Sequence, residues 1–358
     1  MKPGTLEPLM DLLRIASPSG HEREASAAWL ARGCAFSDEA ETDRLGNAYL
    51  RLKQSGGPRV IVAAHIDELA LMVTHIDECG FLSFDTMGRW DADVLAGQRV
   101  KILTRHGVMH GVVGRADLFR RTEEMRARAA RKEDYWIDIG ASSEAEALQA
   151  VRIGDPIVID AEPFLLTENL IVARGLDDRA GCFVIAEVLR ELHRLRPPVS
   201  ATAIATTQEE IGFRGAHVAA RKAAADVAVA VDLYSTSDTP GPSDATKQLG
   251  EIRLGAGPIV GRGPNIDPDL CEHLVRTAER HGIPYQMEGE PRATSTDASI
   301  LQLGGEGALT ALISIPNRYS HSPVEIVDRR DMENAIRLIG LSIAVLPDAE
   351  WLDVDGAR

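Results

Sequence analysis

The sequence predicts an α/β protein: a mixed, largely parallel sheet covered by helices on both faces, interrupted by a small inserted β-barrel. Three observations carry the prediction. Runs such as Arg59-Val-Ile-Val-Ala-Ala64, Ser200-Ala-Thr-Ala-Ile-Ala-Thr206, Asp226-Val-Ala-Val-Ala-Val231 and Ala308-Leu-Thr-Ala-Leu-Ile-Ser-Ile315 are apolar on consecutive positions, as strands buried on both faces must be. Segments of helical periodicity separate them, the alternation expected of a sheet covered by helices. Between residues 75 and 163 the texture changes to short alternating segments divided by Gly and polar turns, the signature of a small barrel. The domain reading is therefore a discontinuous α/β catalytic domain, 1–74 and 164–358, with an inserted barrel domain at 75–163.

Taken in order, residues Leu6 to Ile15 set Leu6, Leu9, Met10, Leu12, Leu13 and Ile15 at helical spacing and stop at the loop chemistry of Ser17-Pro-Ser-Gly20. A second amphipathic helix follows from Glu22 to Gly33. Ala48-Tyr-Leu-Arg-Leu52 alternates, and beyond a Gly-Gly-Pro turn the strand Arg59 to Ala64 ends in His65-Ile-Asp67-Glu68. In the insertion the strands are Phe81 to Phe84, Gln98 to Leu103, Val108 to Val113, Tyr135 to Ile139 and Pro156 to Ile159. Arg115 to Asp134, dense in Arg and Glu, breaks that pattern and reads as a solvated helix or loop; reaching a partner subunit is the sharper alternative. Leu170 to Ala173 is again a strand, and a helix runs from Gly181 to Leu195, where Arg196-Pro-Pro198 ends it because proline cannot continue a helix. Ser200 to Thr206 leads into Gln208-Glu209-Glu210, a helix spans Arg214 to Ala224, and Asp226 to Val231 ends on Asp232. A helix at Cys271 to His281, a short strand at Tyr285 to Glu288, the strand Ala308 to Ile315 running into Pro316-Asn-Arg-Tyr-Ser-His321, and a helix from Arg330 to Leu346 close the chain.

Composition narrows the function. With 358 residues the chain exceeds one domain of roughly 100–200 residues, and 44% hydrophobic residues supply a large core. A net charge of −15 argues against nucleic acid as partner, because binders of polyanions carry a basic footprint. No run approaches membrane-spanning length, and Met1 to Glu7 lacks the apolar segment of a signal peptide. Cys34, Cys79, Cys182 and Cys271 are far apart and show no CxxC spacing, so a reducing cytoplasm is the expected location.

The chemistry gathers at strand ends. The adjacent carboxylates Asp177-Asp178 sit badly in a fold unless something positive holds them, and a metal is the simplest partner. An acidic pair alone is more often a helix cap with favourable first-turn charges. What changes the balance is that His65, Asp177, Glu209, Glu210, Asp232 and His321 each fall just after an apolar run, and functional groups of open α/β sheets collect beyond the carboxyl ends of the strands. Two imidazoles with several carboxylates suit zinc, cobalt or manganese, and the number of donors suits a two-metal site. One ion then polarises a carbonyl, the pair acidifies a shared water, and a free carboxylate shuttles its proton to the leaving amine. In Glu209-Glu210 one side chain can bind metal while its neighbour serves as base. Residues two apart on an extended segment face the same side, so Asp67 can hold the far ring nitrogen of His65.

The stretches Ala64-His-Ile-Asp-Glu68, Gly88-Arg-Trp-Asp with Gly97-Gln-Arg-Val100, Gly175-Leu-Asp-Asp-Arg179, Gln208-Glu-Glu-Ile-Gly212, Val231-Asp232 with Asp238-Thr-Pro-Gly241, Thr296-Asp-Ala298 and Arg318-Tyr-Ser-His-Ser-Pro323 span nearly the whole chain. As a set they resemble the tetrahedral (TET), glutamyl or deblocking aminopeptidases, dinuclear metallopeptidases of clan MH with a zinc-aminopeptidase-like fold. The resemblance implies that His65, Asp177 and Asp232 hold one metal, that Asp177, Glu210 and His321 hold the other, and that Asp177 bridges them. It implies further that Glu209 is the general base and Asp67 the orienter of His65, and that a cis peptide joins Asp177 to Asp178. It also implies that the insertion supports dimers that build tetrahedral dodecamers.

The leading reading is thus an aminopeptidase acting on short peptides with two divalent ions per subunit. A second keeps the metals and changes the substrate to N-acyl amino acids or other small amides. A third is an inactive scaffold or shell protein. A glycosidase needs only two carboxylates and gives the histidines no role.

Overall fold

The computed structural model describes residues 6–53, 57–240, 246 and 249–346. The readings above on Met1 to Glu7, on the Gly-Gly-Pro turn and on the Asp238 to Gly241 motif fall partly outside them. The α/β part opens with α1 (Glu7–Arg14), α2 (Arg23–Gly33), β1 (Glu39–Thr42), β2 (Ala48–Leu52) and β3 (Arg59–His65). The insertion carries β4 (Ala70–Ile76), β5 (Leu82–Met87), β6 (Arg99–Thr104), β7 (Gly107–Arg115), α3 (Glu123–Ala127), β8 (Tyr135–Asp138), α4 (Glu144–Ala150) and β9 (Pro156–Ile159). The chain then returns through β10 (Phe164–Leu165), β11 (Leu170–Ala173), α5 (Leu176–Leu195), β12 (Ser200–Thr206), α6 (Arg214–Ala223), β13 (Val227–Ser235) and β14 (Ile259–Arg262). It closes with α7 (Pro268–His281), β15 (Gln286–Gly289), α8 (Ala298–Leu301), β16 (Leu309–Arg318), β17 (Glu325–Asp328) and α9 (Arg329–Ala344).

The large sheet runs β1-β2-β12-β3-β13-β16-β17-β11-β10, with β14 attached to β16 and β15 to β14. The central four strands β12, β3, β13 and β16 run parallel to one another, and these are the runs that read as apolar on consecutive positions. The flanks pair antiparallel, and β2, alternating in sequence, is nonetheless buried at every position except the partly exposed Arg51. Helix α5 packs against β3, β12 and β13 and meets α9. Trp29 of α2 donates its indole N–H to the Cys182 carbonyl at 2.8 Å, pinning the second helix to α5.

The insertion is a closed antiparallel barrel, β4-β5-β8-β7-β6-β9, with an apolar core separate from that of the α/β part. Its first strand begins at Ala70, five positions before the boundary read from sequence, because Ala70, Leu71, Met72 and Val73 are apolar in succession and do not show the alternation of the barrel strands. The charged stretch Arg115 to Asp134 holds α3 and a short turn, stays mostly exposed, and is braced by Arg128, whose guanidinium meets both Asp134 oxygens at 2.7 Å. Among the described residues no helix is long and apolar enough to cross a membrane.

Candidate metal centre

The candidate side chains are delivered by several different elements. His65 is the last residue of β3; Glu209 and Glu210 follow β12; His321 follows β16. Two placements differ from the sequence reading. Helix α5 starts at Leu176 rather than Gly181, with Asp177 and Asp178 in non-helical conformation inside its first turn and a cis peptide between them. Strand β13 continues to Ser235, so Asp232 lies within it and not after it, because β16 pairs with it through Asn317.

These residues converge. Asp177 stands between the two histidines, with Oδ1 3.1 Å from His65 Nε2 and Oδ2 3.5 Å from His321 Nε2. Donor atoms of His65, Asp177 and Glu210 lie within 4.8 Å of one another, as do those of His65, Asp178 and Asp232. Glu209 Oε2 is 3.9 Å from His65 Nε2. Gln208, Tyr319 and His321, all non-glycine, adopt positive φ near these groups, a conformation such residues take only where the surroundings demand it. All of this opens onto a cavity of about 480 Å³, lined by His65, Asp177, Glu209, Glu210, Asp232 and His321 among others.

Buried supports fix the geometry. The His65 Nδ1 is 3.2 Å from the Asp67 backbone carbonyl and 3.5 Å from the Asp67 carboxylate, so the carbonyl is the nearer orienter. The Asp67 carboxylate accepts instead from the Ser19 hydroxyl at 2.7 Å and from the backbone N–H groups of Glu209 and Glu210 at 2.9 and 3.2 Å. It positions the pair of glutamates as much as the imidazole. Asp178 accepts from the backbone N–H groups of His65 and Gly181 at 3.1 and 3.0 Å. Glu325 accepts from the Asp177 N–H at 3.1 Å and the His321 N–H at 3.0 Å, tying the two sides together. The barrel reaches in as well: Gly88, at φ +81°, leaves no room for a Cβ beside Leu69 and faces Glu210, and the next residue's carbonyl, that of Arg89, lies 3.1 Å from His321 Nδ1.

The electrostatics describe a negative pocket short of cations. Burial pushes the Glu209 carboxyl up to about 10 and Glu210, beside Asp177, up to about 7. Burial, reinforced by Asp232 in the one case and by Asp177 in the other, drives Asp178 and Asp232 well above the carboxylate range. Burial also acts on Asp177, but bonds to His321 and His65 outweigh it and hold that carboxyl below its usual range. The bond to Asp177 lifts His321 to about 9. Among the described residues Glu210 Oε1 is buried without a hydrogen-bond partner. A mixed nitrogen and oxygen donor set with an orphaned carboxylate oxygen fits divalent transition-metal or zinc binding.

Glu325 was not anticipated, since a single acid opening a short strand gives no signal in the sequence; Asp178 was visible as half of the acidic pair but carried no assigned role. Comparison with known proteins places this arrangement. A family model described as M42 glutamyl aminopeptidase matches residues 46–338. The chain belongs to the M42 aminopeptidase family. The lysyl aminopeptidase of Pyrococcus furiosus is 37% identical over 303 residues, covering 84% of this chain and 85% of that one. An aminopeptidase from the archaeon Desulfurococcus kamchatkensis superposes with a TM-score of 0.89 at 34% identity, covering 99% and 98% of the two chains. The TET1 peptidase of Pyrococcus horikoshii, which assembles into a tetrahedron or a large octahedral shell, superposes at 0.83 with 29% identity over 95% of this chain and 99% of that one. This M42 protein is an aminopeptidase, a hydrolase acting on peptide bonds.

Proposed function

We propose that this M42 aminopeptidase removes N-terminal residues from short peptides at a centre of two divalent ions. The observation that carries the reading is Asp177, one oxygen toward each histidine. His65, Asp177 and Asp232 would hold one ion and Asp177, Glu210 and His321 the other, zinc being the metal most suited to the set and cobalt or manganese the alternatives. Bound there, the ions supply Lewis acidity that polarises a carbonyl and acidifies a water.

The protein's own groups supply the rest. Glu209 Oε2 takes a proton from the attacking water and returns it to the leaving amine nitrogen. Asp67, by holding the backbone N–H groups of Glu209 and Glu210, keeps base and ligand at fixed separation. We also propose that the chain self-associates through its barrel, as dimers and then a closed tetrahedral shell of the kind formed by the Pyrococcus horikoshii relative.

The test is a Glu209→Gln variant assayed on fluorogenic aminoacyl substrates. Turnover is expected to fall about 10²- to 10⁴-fold with bound metal retained. Full activity in that variant removes Glu209 from the chemistry.

A further inference from the structure

The cavity extends well past the histidines, along one face of the sheet. Asp232 on β13 is directly across from Ser314 on β16, Ser314 from Ile259 on β14, and Ile259 from Gln286 on β15. Three strand spacings separate Asp232 from β15, about 14 Å in the plane of the sheet. Residues two apart on a strand share a face, so Tyr234, Leu312 and Glu288 line the same side as Asp232 and Ser314, and all five are on the cavity wall. Gly261 sits across from Glu288, between it and Leu312, and leaves that stretch of floor without a side chain.

Glu288 is anomalous there. It is only 7% exposed, and its Oε2 is buried with no hydrogen-bond partner among the described residues. Stranding a buried carboxylate oxygen costs its full desolvation unless something supplies a charge or a donor. The charge that bears on it is another acid, Glu290, also on the cavity wall. Burial and Glu290 push the Glu288 carboxyl up to about 7. Arg89 lines the cavity too, but it is exposed and its backbone sits on His321, at the opposite end.

We propose that Glu288, backed by Glu290, is the specificity-determining acid that receives the cationic side chain of an N-terminal lysine or arginine. The inference rests on the aminopeptidase reading of the neighbouring centre. With the α-amine and scissile carbonyl at the histidine end, a long basic side chain spans the gap. Its methylene stem lies along Leu312 and the Tyr234 ring, and its charged end reaches the unpartnered oxygen. Leucine is too short to reach it, and glutamate is repelled by both acids.

The experiment compares kcat/KM on lysyl, arginyl, leucyl and glutamyl aminomethylcoumarin substrates, for the metal-loaded native chain and for Glu288→Gln and Glu290→Gln. The native chain is expected to prefer the two basic substrates. Glu288→Gln should cut the lysyl-to-leucyl ratio about 10- to 100-fold, chiefly through KM, and Glu290→Gln should cut it less. A native preference for leucyl or glutamyl substrate, or an unchanged ratio in Glu288→Gln, overturns the pocket assignment and leaves the aminopeptidase reading intact. A native chain that turns over none of the four overturns both. If Glu288→Gln does not fold, the native ranking and the Glu290→Gln ratio decide.

Discussion

Glu288 and Asp177 are both buried acids, and their surroundings treat them oppositely. Asp177 has an imidazole on each oxygen, whereas Glu288 has an orphaned oxygen and an acidic neighbour. That difference has a measurable consequence for folding. Below the ordinary glutamate range the Glu288 carboxyl is neutral in both folded and unfolded chains and contributes nothing. As pH rises toward about 7 the unfolded chain has already ionised while the folded chain resists, so stability falls across that window. Glu288→Gln has no proton to lose there. It is expected to melt at a higher temperature than the native chain at about pH 8 and at a similar temperature at about pH 4. Equal melting at the higher pH would show that the native carboxylate carries no desolvation cost.

At the scale of elements, much was legible because the central strands leave a simple trace. A strand buried at nearly every position is apolar throughout, so the bounds of β12 in the parallel centre, and of the antiparallel β9 in the barrel and β11 on the flank, are legible to the residue. The edge strand β1 is exposed at all four positions and leaves no apolar trace, and β17 is bounded by the acids Glu325 and Asp328, which leave only Ile326 and Val327 apolar between them. Of the site, the donors at strand ends were legible, since each interrupts an apolar run. Glu325 and the Asp67 carbonyl were not, because their roles run through backbone groups that any residue possesses. Strand β7 bears on assembly. It turns Val108 and Val112 outward at 56% and 48% exposure, on the same face as His110. A barrel strand with an apolar outer row is suited to an interface between copies. Light scattering is expected to give a multiple of the monomer mass, and Val112→Asp to lower it without unfolding the barrel. A native chain that scatters as a monomer contradicts self-association.

For the whole molecule, the barrel and the α/β part have separate cores yet meet at the site, where Gly88 and Arg89 close over Glu210 and His321. The insertion therefore helps to build the site. The sheet, the acidic pair and the two histidines make sense together only if the gathered negative charge has cations to hold, since several buried carboxylates in one cavity would otherwise repel. The direct measurement is anomalous diffraction from crystals grown with zinc. Two peaks per chain are expected, one against His65, Asp177 and Asp232 and the other against Asp177, Glu210 and His321. A single peak, no peak, or a carboxylate of Asp178 turned from the backbone to take the place of Asp177 would contradict the two-metal centre.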